Sequence, residues 1–177
     1  MTDAGSIADA DWQVWRSFLM MRKQLDRALE QRLQGDAGIS GADFEVLMTL
    51  TSAHERQLRA RDLTELLGWE KSRVSHQVTR MAARGLVERQ DCPTDLRGTW
   101  VVLLPAGRRA ALRAMRGHNE ELNRLFFDVL SAEEKAAFSG VSGRIIDAVN
   151  PSACERADAI LAASAPDEAA GAEARAS

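Results

Sequence analysis

The chain has 177 residues, 45% of them hydrophobic and 28% charged, a balance that suits a globular protein with one domain and a real core. A net charge of −3 argues against a protein coated in nucleic acid, but the charge is uneven: Glu55 to Arg116 holds 13 Lys or Arg against 7 Asp or Glu, the remainder 10 against 19. Cys92 and Cys154 make no disulfide framework and fit no metal-ligand spacing. Met1 to Asp11 is too polar for a signal peptide, and no apolar run nears the roughly 18 to 20 residues that span a bilayer, so the expected location is the cytoplasm, away from membranes.

Residues 1–10 show no periodicity and are expected to be disordered. From Asp11 to about Gln34, Trp12, Trp15, Phe18, Leu19, Leu25, Leu29 and Leu33 mark one broad apolar stripe of a long helix, which the Gly35 to Gly38 break should end. Ser40 with Asp43 three residues later has capping-box spacing and opens a second helix, through Phe44, Val46, Leu47 and Leu50 to about Ala53. His54 to Gln57 is a connection.

The stretch from Arg61 to Gly85 reads as two helices joined by a tight turn. In the first, Leu63, Leu66 and Leu67 give the spacing of a half-buried helix, and Gly68 stands where a helix end favours positive φ. After a turn at Gly68 to Glu70, Val74, Val78, Met81 and Ala82 form the apolar stripe of the second helix. Its opposite face carries Ser72, Arg73, Ser75, His76, Thr79, Arg80 and Arg84, donors suited to phosphates and to guanine edges. Such a face alone is more often solvated surface than a DNA contact. Arg84 is placed to pair with Glu88 rather than to meet DNA.

Leu86 to Gln90 and Thr99 to Leu104 read as strands, separated by a polar loop from Asp91 to Gly98. Helix, turn, helix and a hairpin with a charged tip outline a winged helix-turn-helix. Pro105 suits the first turn of a further helix, which should run to near Leu130 with a bend at Gly117. Ser131 and Glu134 again have capping-box spacing; the helix they open uses Phe138, Val141, Ile145, Ile146 and Val149, and Pro151 closes it. Residues 151–177, rich in small and acidic residues, are expected to be a disordered tail.

The order of elements, with Val87-Glu88-Arg89, Cys92-Pro93, Asp95-Leu96-Arg97-Gly98, Val102-Leu103 and Pro105-Ala106-Gly107, resembles the MarR family of bacterial transcription regulators over about residues 11–149. Asp95, Arg97, Leu103 and Gly107 fit the family's wing signature. Leu104 departs from it, standing where the family often has a capping threonine, so the next helix start relies on Pro105. The resemblance implies a mainly α fold with a small β-hairpin wing: a DNA-binding lobe at about 40–104 and dimerisation helices at about 11–34 and 105–150, together one domain over 11–150. It also implies a homodimeric repressor reading an inverted repeat in double-stranded DNA. Arg97 should enter the minor groove, held by Asp95; Arg73, His76 and Arg80 should meet base edges, and Lys71, Ser72, Ser75 and Thr79 phosphates or sugar.

Family members commonly respond to small anionic aromatic compounds, for which Trp12, Trp15, Arg16 and His54 are the candidate residues here; tryptophans at this spacing are more often dimer core than a ligand box. Cys92 beside Pro93 gives an alternative, a thiol-based redox sensor, and a winged-helix module without ligand control is another. The histidines at 54, 76 and 118 share no metal spacing, and no nucleophile elbow or phosphate-cradling loop is present, so neither an enzyme nor a cofactor is expected.

Overall fold

A computed structural model describes residues 6–92 and 95–163, with the backbone alone at 92, 95–98, 153, 154 and 163. The elements are α1 (Asp9–Ala37), α2 (Gly41–Ser52), a 3₁₀ turn (His54–Arg56), β1 (Gln57–Arg59), α3 (Ala60–Leu67), α4 (Lys71–Ala83), β2 (Val87–Cys92) and β3 (Asp95–Leu103). Then come α5 (Pro105–Leu122), a π-helical turn (Asn123–Phe127), α6 (Ala132–Val149) and α7 (Ala153–Ala163). The fold is mainly α with one small antiparallel sheet, in the order β1-β3-β2.

α1 continues through Gly35 to Ala37, where Arg32 Nε donates to Asp36 Oδ2 at 2.7 Å, and it stops at Gly38, whose φ of 64° lets its N–H reach the Gln34 carbonyl. The Ser40–Asp43 capping box then starts α2. Val46, Leu47 and Leu50 of α2 are fully buried and form the centre of the DNA-binding lobe with Leu58, Leu63, Val78, Met81 and Val101. α1 pairs with α5, where Ala110, Ala111 and Ala114 are buried. Gly117 adds to that approach: a Cβ there would lie 1.7 Å from Asp36 Oδ2.

Several expectations change. Spacing predicts two strands, but the sheet has three, since Gln57, Leu58 and Arg59 pair with Val102, Val101 and Trp100. Three residues are too few to display alternation. The loop expected over Asp91 to Gly98 is mostly strand: β2 reaches Cys92 and β3 begins at Asp95, with a register shift between Asp91 and Cys92. The helix after Pro105 runs unbroken through the buried Gly117 to Leu122 and then widens into the π turn. Residues 153–163, inside the expected disordered tail, form α7, in which Ala157, Ile160 and Leu161 are half-buried and Arg156 Nε lies 3.5 Å from Glu65 Oε1 of α3. The helical spacing of those three residues supplies the apolar stripe that the small-residue composition hides. At the other end, α1 begins at Asp9, within the expected disordered stretch, whereas residues 1–5 lie outside the described residues.

The second capping box, Ser131 with Glu134, opens α6 as expected, and Leu104 caps α5 without a side-chain bond. No residue of α6 is buried within the chain. Among the described residues, no helix is long and apolar enough to cross a membrane.

Candidate nucleic-acid interface

α3 ends where Gly68 takes φ 61°, and the Trp69 N–H returns to the Thr64 carbonyl at 3.2 Å. Trp69 is buried at the turn and anchors it. α4 then leaves with Val74, Val78 and Met81 in the core. Its first turn has no acidic residue, and the N-cap Glu70 makes no side-chain capping bond.

The face opposite the core presents Lys71, Ser72, Arg73, Ser75, His76, Thr79 and Arg80, all exposed. The Arg73 guanidinium lies 3.8 Å from the Trp69 ring centroid, a cation–π contact that holds it against the turn. The Thr79 hydroxyl donates to the Ser75 carbonyl at 2.8 Å, leaving its lone pairs outward. Arg89 of β2 donates to the same carbonyl at 2.8 Å and to the Ser75 hydroxyl at 3.3 Å, pinning the hairpin to α4. Arg80 donates to Gln77 Oε1.

Arg84 does turn away from this face, but its partner is Asp43, 2.7 Å away, not Glu88. Gly85 at φ 68° sends the chain into β2, and the buried Asp43 carboxylate offers the stronger pairing. On α2, Glu45 has its carboxyl held above the ordinary value: burial is the largest cause, Arg73 pulls it back, and Asp26 raises it further.

The wing is the β2–β3 hairpin, in register from Val87 opposite Leu103 to Asp91 opposite Thr99. Asp95 and Arg97 belong to β3 by backbone; their side chains, like that of Cys92, lie outside the described residues. Arg59 of β1 lies over the Trp100 ring at 5.3 Å. A cavity of about 490 Å³ between α3, α4 and the sheet is rimmed by Arg59, Arg61, Lys71 and Arg89, so the flank of α4 is also basic.

The candidate ligand residues sit elsewhere. Trp12, Trp15 and Arg16 are exposed on α1, with Trp15 stacked on Phe18 at 5.6 Å, and His54 is half-buried in the 3₁₀ turn. Neither this cavity nor a second one of about 520 Å³ between α1 and α5 is lined by any of them. Sequence spacing does not single out Trp69, Arg89 or Gln77. For Gln77 a signal exists: it stands three residues after Val74 and one before Val78, inside the apolar stripe.

A tight turn leading into an exposed basic helix, flanked by a hairpin pinned to that helix, defines a winged helix-turn-helix DNA-binding protein. Residues 37–98 match the sequence profile of the MarR family. Sco3205, a MarR family transcriptional regulator from Streptomyces coelicolor solved in complex with DNA, is 28% identical, with a TM-score of 0.80 over 86% of this chain and 95% of that one. AbsC, a MarR family transcriptional regulator from the same organism, is 29% identical, with a TM-score of 0.78 over 82% of this chain and 98% of that one. An organohalide-sensing transcriptional regulator in its 2,4-dichlorophenol-bound form shares the fold at 16% identity, with a TM-score of 0.71 over 83% and 88%. No curated protein matches the chain in sequence. Residues 37–98 thus carry a MarR-family match, and the chain has the winged-helix fold of MarR-family transcriptional regulators, a class that regulates transcription rather than catalysing a reaction.

Proposed function

We propose that the protein is a cytoplasmic homodimeric repressor that places α4 in the major groove and the β2–β3 wing in the minor groove of an inverted-repeat operator. The observation that carries this reading is the division of α4 into a buried apolar stripe and an exposed face of cations, hydroxyls and His76. On this reading Arg73, His76 and Arg80 meet base edges, Lys71, Ser72, Ser75 and Thr79 position the helix on phosphates or sugar, and Arg97, supported by Asp95, enters the minor groove.

Dimerisation is supported by apolar surface that the single chain leaves open. Trp12, Phe18, Phe138, Val141, Ile145 and Ile146 are each at least 39% exposed, and they sit on α1 and α6, which with α5 are the helices expected to interleave with a second copy. Release from DNA by a small aromatic anion is supported by the dichlorophenol-bound relative and by the grouping of Trp12, Trp15 and Arg16 on α1, with His54 as a further candidate. Titration of the protein with its own upstream DNA tests the reading. Arg97→Ala is expected to weaken binding and lower its salt dependence, and a variant that binds the operator unchanged would remove the wing from the interface.

A further inference from the structure

Most of the buried stripe of α4 is apolar, yet Gln77 is only 3% exposed within it. Burying an amide is costly unless both its ends are bonded, and here they are. Nε2 donates to Asp43 Oδ1 at 2.7 Å, and Oε1 accepts from Arg80 Nη2. The orientation of the amide is set by chemistry, since the carboxylate can only accept and the guanidinium can only donate.

Asp43 is itself fixed. Its Oδ2 accepts from the Ser40 N–H at 2.9 Å and from Arg84 Nη1 at 2.7 Å, while its own N–H donates to the Ser40 hydroxyl at 3.1 Å. A chain of bonds therefore runs from the start of α2, through the interior, to one guanidinium on the exposed face of α4. A leucine at position 77 would fill the stripe as well, but it would leave Arg80 free to turn.

We infer that Gln77 is a positioning residue for base reading, holding the Arg80 guanidinium so that its remaining N–H donors face a base edge. The inference rests on the reading of Arg80 as a base contact. The bond to Gln77 removes rotamer freedom before DNA arrives, and discrimination depends on such pre-set geometry more than affinity does.

The experiment compares full-length wild type, Gln77→Met, Arg80→Ala and the double variant against operators mutated one base pair at a time. Methionine keeps the volume, and Asp43 keeps its bonds to Arg84 and Ser40, so the fold is expected to persist. Arg80→Ala is expected to relax discrimination at one position of each half-site by about 5- to 100-fold. Gln77→Met should relax the same position, and the double variant should lose no more than Arg80→Ala alone.

Uniform weakening by Gln77→Met across all sequences, or unchanged preference while Arg80→Ala relaxes it, overturns the positioning role. No relaxation by Arg80→Ala removes Arg80 from base reading, and the inference falls with it. Nitrogen NMR of Arg80 in the unaltered, DNA-free protein gives an answer independent of any variant's stability. Separate, slowly exchanging Nη signals are expected, and one averaged signal overturns the restraint.

Discussion

Arg84 Nη1 donates to Asp43 Oδ2 at 2.7 Å, and its Nη2 reaches the Gly38 carbonyl at 2.8 Å, so one guanidinium ties the end of α4 to the α1–α2 junction. The Asp43 side chain is 4% exposed and that of Arg84 42%. Arg84→Ala leaves a buried carboxylate short of its cation and is expected to cost about 1–3 kcal/mol, below the range for a fully buried pair because water reaches Arg84. Urea unfolding measures the loss.

Two glycines should respond in opposite directions. A Cβ at Gly107 would lie 2.1 Å from the Leu86 carbonyl, which accepts the Leu104 N–H, and 2.9 Å from Leu103 Cδ1. Gly107→Ala must move the backbone where β3 passes into α5, at an expected cost of about 1–3 kcal/mol. Gly35 lies within α1, and a Cβ there would meet nothing within 4 Å. Its substitution by alanine should therefore stabilise the helix by about 0.5–1 kcal/mol. Thermal unfolding of both variants checks the pair.

A charge on the open face of α6 should separate the subunits. Ile145 is 59% exposed in the single chain and Phe138 39%. Replacing either with glutamate would force a carboxylate into the proposed subunit contact, where burial penalises the charge. Sedimentation is expected to report a monomer with operator affinity reduced at least tenfold; a stable dimer would place the subunit contact elsewhere.

Glu45 gives a pH test. Its carboxyl is raised above the ordinary value, so folding favours the protonated form. Its contribution to stability is therefore present below the unfolded pKa and is lost as pH rises through the folded one. Urea midpoints of wild type should fall relative to those of Glu45→Gln as the pH rises from about 4 to 6. Parallel curves for the two proteins would show that Glu45 is fully hydrated.

Elements specified by neighbouring residues are legible in the sequence. Ser40 with Asp43, Ser131 with Glu134, and Gly68 after Leu67 each complete a helix end within a few positions, and the apolar stripe of α4 shows directly in its spacing. What escapes depends on distant partners. β1 exists because β3 pairs with it, and α7 has α3 to pack against. Arg84 prefers Asp43 to the sequence-near Glu88 because only the folded lobe buries Asp43 beside it. Gln77 looks like an interruption of the stripe until Asp43 and Arg80 appear at its two ends.

The reading of α4 and the wing as half of a two-fold DNA reader is tested most directly by selecting binding sites for the full-length protein from random duplex DNA. The expected product is an inverted repeat whose half-sites lie roughly 10 to 10.5 bp apart. Enrichment should collapse when Arg73, Arg80 and Arg97 are replaced together. Recovery of a single unrepeated half-site, or equal enrichment by the triple variant, would refute it.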